Sequence, residues 1–340
     1  MPDQTLSISV VMPAYKAEHL LPRVLPPLIG MLQSGKVQEV LVVDDQSPDE
    51  TASLAKQMGA TVLTTPVNGG PGAARNLAAE HAKGDVLWFV DSDVIAWPDG
   101  PDHIRMAMAE ENVAAVFGSY DDAPDGQTWF SRYKNLLHRY HHQRARREAR
   151  TFWAGCGAIR RDVFLEVGGF DVKTYKVPSI EDIELGYRIA ETGRRILVEP
   201  QLQGKHLKVW TMRNSLSTDI YCRALPWARL MISREGLTDD LNTSMAERVR
   251  AAIAGLLLLS VLALPFWPGS WPLPMGLFAL AFLANFDFVR TMAGHGGSWF
   301  AFKCLLYHQF YYVYSAAIYV WCLIEYHLLG QKQKLRVRRG

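Results

Sequence analysis

Apolar and β-branched residues in the first third of the chain come in short unbroken runs rather than in alternation with polar ones. Ile8 to Met12, Val37 to Val43, Thr61 to Thr65, Asp85 to Val90 and Val113 to Tyr120 are such runs. Their length fits strands buried on both faces, the pattern of a parallel sheet covered by helices. Between them the spacing turns helical. A proline-interrupted helix reaches about Ser34. Ser47-Pro48-Asp49-Glu50 supplies an N-cap, a proline at the first helical position and a capping-box glutamate for a helix ending at Gly59. Asn68-Gly69-Gly70-Pro71-Gly72 opens a helix that closes at Gly84, and another helix lies around Asp102 to Glu111. Strands alternating with helices of this size predict an α/β fold whose sheet is mostly parallel, with right-handed crossovers, as in nucleotide-binding units.

The pattern changes further on. Phe130 to Arg150 is strongly basic, with Tyr133, Leu136, Leu137 and Tyr140 at helical spacing, so it reads as a helix for an anionic bilayer surface or as a solvated basic helix. Gly168 reads as a helix stop, Arg195 to Glu199 as a strand with Gly204-Lys205-His206 one strand later. Leu216, Ile220, Ala224, Trp227 and Met231 share one face of a later helix. From Ala251 to Leu329 the chain is mostly apolar and aromatic, and that shift near Arg250 is the clearest boundary. Ala251 to Trp267 and Leu273 to Val289 are short candidate spans joined at Pro268-Gly269-Ser270-Trp271-Pro272, and Ala301 to Leu329 is a third. The division expected is a soluble domain over 1–235 (nucleotide-binding half 1–120, acceptor half 121–235), a linker over 236–250, a membrane region of two to three helices over 251–330 and a basic tail over 331–340.

Charge sharpens this without changing it. The net charge of +2 gives no global field that argues for nucleic acid. Arg248, Arg250, Arg290 and the tail residues Lys332, Lys334, Arg336, Arg338 and Arg339 should all be cytoplasmic, which three full crossings would not allow, so the third segment is partly interfacial or the tail breaks the rule. Met1 to Ser9 runs straight into a strand without a leader pattern, so the expectation is a multi-pass protein of the inner membrane with its soluble domain in the cytoplasm. Cys156, Cys222, Cys304 and Cys322 have neither disulfide nor zinc spacing.

Candidate chemistry centres on Asp91-Ser92-Asp93, where a buried strand ends in two carboxylates at the edge at which open α/β sheets bind ligands. Two hard oxygen donors there suit Mg²⁺ or Mn²⁺ carrying a diphosphate; a solvated turn is the plain alternative. No G-x-G-x-x-G follows the first strand, and no Walker A signature is present, which disfavours a dinucleotide or P-loop reader. The loop at Asn68 to Gly72 reads either as an anion-binding helix start or as an ordinary glycine turn. Within Pro178 to Leu185, Ser179 reads as an N-cap with Asp182 three residues on, where a helix N-terminus would hold the carboxylate ionised.

Pro13-Ala14-Tyr15, Val43-Asp44-Asp45-Gln46-Ser47, Gly72-Ala73-Ala74-Arg75-Asn76 and Phe89-Val90-Asp91-Ser92-Asp93 stand in the order and approximate spacing of the family 2 glycosyltransferases, which the chain resembles. The resemblance implies a GT-A fold and inverting transfer from a nucleotide diphosphate sugar, a UDP-sugar above all, to a lipid-linked or membrane-embedded acceptor. Carried over, Pro13, Ala14, Tyr15 and Asp45 hold the base, Arg75 orients the base-binding carboxylate or reaches phosphate, and Asp91 approaches the ribose. Asp93 becomes the metal ligand, with His206 a candidate further ligand. Asp182 becomes the base that takes the acceptor proton, and Gly155, Glu181, Arg223 and Trp227 lie toward diphosphate or acceptor. The Gln of the Gln-x-x-Arg-Trp motif of processive members is absent near Arg223 and Trp227, which argues against a processive polysaccharide synthase. A catalytically idle scaffold that only binds nucleotide sugar is the alternative of another class.

Overall fold

The computed structural model describes residues 6–234 and 243–330, which form two compact units. The first unit comprises the described residues up to Gly126 together with His142–Val209; the second comprises Gln127–His141 and the described residues from Trp210 on. The basic tail and part of the expected linker lie outside the described residues. Segment 127–141 and the described residues from Trp210 on belong with the C-terminal helices.

The first unit is a nine-stranded mixed sheet. Its strands are β1 (Ile8–Ala14), β2 (Glu39–Asp44), β3 (Thr61–Thr64), β4 (Val86–Val90), β5 (Val94–Ala96), β6 (Val113–Tyr120), β7 (Glu148–Ala149), β8 (Cys156–Arg160) and β9 (Arg195–His206). They lie in the order β3-β2-β1-β4-β8-β6-β9-β5, with β7 beside β9. The nucleotide half is parallel as predicted: β1 pairs with both β2 and β4, and β3 pairs with β2. Every residue of β1, β4 and β6 is buried, which is why these strands read as unbroken apolar runs. The other half departs from a parallel sheet. Strand β8 runs antiparallel between β4 and β6, and β5 pairs antiparallel with the end of β9. The strand expected at Arg195–Glu199 runs on without a break to His206.

Helices α1 (Leu21–Gln33), α2 (Thr51–Gln57), α3 (Gly70–His81), α4 (Gly100–Ala107), the end of α5 (Trp129–Arg144), α6 (Arg161–Glu166) and α7 (Glu181–Glu191) complete this unit. Helix α1 buries Leu21, Val24, Leu25, Leu28 and Met31, an i, i+3, i+4 stripe against the sheet. Two expected caps did not form. Ser47 Oγ accepts from Lys16 N (3.0 Å) instead of capping α2, whose cap position is Glu50. Ile180 rather than Ser179 precedes α7, and Ser179 N donates to Glu181 Oε2 at 2.7 Å. At Ser47 the capping hydroxyl was drawn to a neighbour 31 residues away, which local pattern does not reveal.

The second unit is helical, with most of α5 followed by α8 (Met212–Ser217), a π-helical stretch over Thr218–Ala224, α9 (Leu225–Ser233), α10 (Met245–Ala263), α11 (Pro272–Ala284) and α12 (Phe286–His327), which kinks at Gly297 with φ +76°. The apolar face of α5 does not lie open for a bilayer surface. Phe130, Tyr133, Leu136, Leu137 and Tyr140 pack with Phe288, Met292 and Phe300 in a buried cluster, and Lys134 pairs with Asp219 at 2.5 Å. Among the described residues no single helix is long and apolar enough to cross a membrane; residues 268–284 and 286–327 pass such a test together but are bent by 72°.

Candidate active site

The carboxyl ends of β1, β2 and β4 deliver the residues predicted for a nucleotide. Pro13 and Ala14 finish β1, and Tyr15 stands half exposed beyond them. Lys16 follows with φ +54°, its turn held by Ser47 and by Ala17 N donating to Thr51 Oγ1 at 2.8 Å.

Asp45 is buried and its carboxylate is fully engaged. Oδ1 accepts from Thr65 Oγ1 (2.7 Å) and Gly69 N (2.9 Å), and Oδ2 accepts from Gly70 N (2.7 Å). The glycine loop therefore does not offer these two N–H groups to an outside anion; Asp45 is the anion that satisfies the start of α3. This shapes the loop beside the base site that the resemblance assigns to Asp45.

Arg75, on α3, reaches Asp91 rather than Asp45. Its Nη2 lies 2.5 Å from Asp91 Oδ1, and its guanidinium faces the rings of Phe89 and Phe170 at 5.8 and 5.4 Å. Asn76, which sequence reasoning passed over, holds that arrangement. Its side chain exchanges two hydrogen bonds with the backbone of Phe170, at 2.9 and 2.8 Å, and so fixes the ring beside Arg75. Burial raises the Asp91 carboxyl, the Arg75 cation opposes that, and the neighbouring Asp93 charge adds to the rise.

Asp93 turns into β5, and the antiparallel pairing of β5 with β9 brings it to His206. Val94 stands opposite His206 in register, and Leu207 N donates to the Asp93 carbonyl at 2.8 Å. His206 Nε2 lies 3.4 Å from Asp93 Oδ2. Tyr120 stacks flat on the imidazole at 4.2 Å, and Trp153 meets Tyr120 edge-on at 4.9 Å. Neither ring carried a sequence signal. Burial pushes the Asp93 carboxyl up, yet His206, the Lys208 charge and a backbone hydrogen bond together outweigh it, so the group lies below its ordinary value. Among the described residues no cluster of three or more His, Cys, Asp or Glu forms a complete metal site.

The acceptor-side carboxylates enter from α7. Asp182 Oδ2 accepts from Ala154 N at 3.2 Å and its Oδ1 from Ile183 N at 2.9 Å. Gly186, one turn on, makes this approach possible: a Cβ there would stand 2.4 Å from Phe152 N and 2.6 Å from the Thr151 carbonyl carbon. A glycine inside an amphipathic helix was the available signal. Gly155 backs the loop from below, its carbonyl accepting from Asp91 N at 3.3 Å and its Cα facing the Trp153 indole. The helix N-terminus does not keep Asp182 low as expected. Burial raises it against the Ala154 hydrogen bond and the Arg75 charge. Glu181, buried beside it, is pushed up to about 7 by burial and then by the Asp182 charge, with Arg75 opposing. Arg75 is thus the cation common to Asp91, Glu181 and Asp182.

Arg223 and Trp227 belong to the second unit. Arg223 lies 3.5 Å from Asp219 and over the Trp210 ring at 5.7 Å, and Trp227 is buried.

Comparison with known proteins places these features in a family. The family described as glycosyl transferase family 2 matches residues 9–168, which include Asp45, Arg75, Asp91, Asp93 and Gly155 and stop before Glu181, Asp182 and His206. The poly(ribitol-phosphate) beta-glucosyltransferase of Bacillus spizizenii is 37% identical over 94 residues, 26% of this chain and 15% of that protein. The Escherichia coli UDP-Glc:alpha-D-GlcNAc-diphosphoundecaprenol beta-1,3-glucosyltransferase WfgD is 29% identical over 118 residues, 34% of this chain and 46% of that protein. The chain therefore spans less than half the length of either relative. A mannosyltransferase from Pyrobaculum calidifontis, solved with GDP-Man and Mn²⁺, superposes with a TM-score of 0.51 at 18% identity, covering 95% of this chain and 88% of that one. Staphylococcus aureus TarS 1–349, solved with UDP-GlcNAc, gives 0.50 at 20% identity over 68% of this chain and 66% of that one. At such identity the likeness concerns the fold, here the GT-A arrangement. Over residues 9–168, just under half of its length, the chain is similar to glycosyl transferase family 2.

Proposed function

We propose that the protein transfers a sugar, with inversion, from a nucleotide diphosphate sugar to a lipid-linked acceptor at the cytoplasmic face of a membrane. The observation that carries this is the meeting of Asp91, Glu181 and Asp182 around the Arg75 charge, with Asp93 held against His206. A single positioned base beside the donor carboxylates suits one direct displacement, hence inversion. Asp182 takes the proton of the acceptor hydroxyl; burial makes it a stronger base than an exposed carboxylate, and its two backbone N–H partners aim it. Glu181, near 7, takes up charge changes beside it. Tyr15 supports a base and Asp91, oriented by Arg75, supports the ribose side.

A divalent cation fits the donor set. Asp93 offers a hard oxygen and His206 an imidazole nitrogen close enough to serve one ion, and two protein donors leave positions for diphosphate oxygens. Such an ion, Mg²⁺ or Mn²⁺, supplies charge to stabilise a departing diphosphate. The Pyrobaculum enzyme was solved with Mn²⁺ and WfgD is named for UDP-Glc, which supports metal use and a UDP-sugar here. WfgD is also named for a diphosphoundecaprenol acceptor. The membrane part of the reading rests on the exposed apolar residues of α10, α11 and the turn between them, among them Leu259, Leu262, Phe266, Trp267 and Leu283.

The test is to give the purified full chain labelled nucleotide sugars, Mn²⁺ and bacterial lipids. Label is expected in the lipid phase, and absence of both transfer and donor hydrolysis across the common donors would overturn the reading. Asp93→Asn is expected to abolish Mn²⁺-dependent donor binding measured by calorimetry; unchanged binding would remove Asp93 from the metal role.

A further inference from the structure

We propose that α10 and α11 form a re-entrant hairpin that enters and leaves the bilayer on the same side, with its turn lodged among the acyl chains. This rests on the membrane reading above and replaces two crossings with none. Three observations carry it. The arms are too short: α11 has 13 residues, about 20 Å of helix, and the uncharged part of α10 from Ala251 to Ala263 is of the same length, against a hydrocarbon core of about 30 Å. The base is polar and fastened. Glu247 pairs with Arg250, Tyr312 Oη donates to Glu247 at 2.6 Å and to Asn285 Oδ1 at 3.2 Å, and Arg250 Nε donates to the Ala284 carbonyl at 2.8 Å. Arg248 and the exposed Arg290 stand at the same end, where anionic headgroups would meet them, and no charged residue lies between Ala251 and Phe286.

The third observation is the turn itself. Irregular backbone in lipid is costly because each unbonded N–H lacks water, several kcal/mol apiece. Here Pro265, Pro268, Pro272 and Pro274 have no N–H at all. Phe266 N and Trp267 N both donate to the Ala263 carbonyl at 3.0 Å, and Ser270 donates to the Trp267 carbonyl through N (3.0 Å) and Oγ (2.7 Å). The turn is nonetheless outward-facing and apolar, with Phe266, Trp267 and Trp271 at 76%, 68% and 58% exposure. A turn with four prolines and with the Phe266, Trp267 and Ser270 N–H groups bonded within it, yet covered in aromatic surface, suits lipid rather than water.

The experiment places single cysteines at the base (Met245→Cys, Arg290→Cys) and at the turn (Gly269→Cys, Ser270→Cys) of the full chain. Gly269 has open space around a Cβ, and the unsubstituted chain, whose Cys156, Cys304 and Cys322 are buried and whose Cys222 is partly exposed, is the control for background labelling. Each variant is labelled with a membrane-impermeant maleimide in sealed right-side-out and inside-out vesicles. The base positions are expected to react in one and the same orientation and the turn positions in neither until detergent is added. Reaction of the turn only in the orientation opposite to the base would show a spanning pair and overturn the proposal. Reaction of the turn on the same side as the base, with the protein still sedimenting with membranes, would also overturn it while sparing the membrane reading. Recovery of the chain in the soluble fraction would instead remove that reading itself.

Discussion

The two units treat buried charge in opposite ways. In the first, Asp91, Glu181 and Asp182 share the Arg75 cation, which His206 supplements only at Asp91, so that negative charge is undercompensated and burial lifts all three carboxyls. In the second, each of the carboxylates Asp219, Glu247 and Glu325 meets at least one cation of its own, and Asp219 meets two, Lys134 and Arg223. Lys134 pairs with Asp219, which Tyr314 and Ser215 also reach at 3.0 and 3.4 Å; Arg250 pairs with Glu247; and Arg229 makes a bidentate pair with Glu325. Undercompensated carboxylates at a sheet edge are costly to the fold and useful to a reaction that needs a base and a place for positive charge. Matched pairs hold helices in register, and breaking one leaves a bare charge.

The largest effect that would break this contrast is on turnover. Asp182→Asn is expected to lower sugar transfer by about 10²- to 10⁴-fold while donor affinity stays within a few-fold, because only proton removal is lost. Comparable transfer in the variant would mean that Asp182 is as structural as the pairs of the second unit. In that second unit, Asp219→Asn should cost about 3–5 kcal/mol in denaturant unfolding, by stranding a buried Lys134 whose pKa burial already lowers to about 8 against the Asp219 charge. Donor binding by the protein that remains folded should be unchanged. A loss below 1 kcal/mol would show the pair to be dispensable.

Smaller effects sharpen it. Gly186→Ala adds one methyl against the Thr151–Phe152 backbone, so α7 must shift; roughly 1–3 kcal/mol of stability and a drop in kcat larger than any change in donor KM are expected. A normal kcat would show that Asp182 tolerates displacement. Glu181 concerns pH. Its folded value near 7 lies above the ordinary 4.5, so the folded state holds the proton more tightly, and its contribution is full below about 4.5 and lost as pH rises through 7. Glu181→Gln should therefore be more stable than the parent at pH 8 by roughly 1–3 kcal/mol and equal to it near pH 4, read by thermal unfolding at both values. Parallel pH curves would remove Glu181 from the undercompensated cluster.

Strands β1, β2, β4 and β6 were legible from the sequence because burial on both faces favours apolar residues, with few exceptions such as Ser9 and Ser119, so the pattern needs no knowledge of neighbours. The family motifs were legible for a related reason: Asp45, Arg75, Asp91 and Asp93 each follow a strand end or open a helix, positions that local pattern marks. Partners across the sheet were not. Strand β8 is as apolar as a parallel strand, and its antiparallel course depends on where the chain returns. The sequence also showed Asp93 and His206 as separate candidates, and it was the β5–β9 pairing that set them face to face.

By itself, then, the sequence determined which segments are buried and which residue types stand at their ends, since both follow from local hydrophobicity and backbone preference. Only the tertiary structure decided which partner each polar group took. Asp45 went to the Gly69 and Gly70 amides, Ser47 to Lys16 N, the apolar face of α5 to α12, and Arg75 to Asp91. A hydrogen bond or ion pair depends on atoms a few ångströms apart in space, and those atoms come from residues 16 to more than 150 positions distant along the chain, as in Arg75–Asp91 and Tyr133–His308.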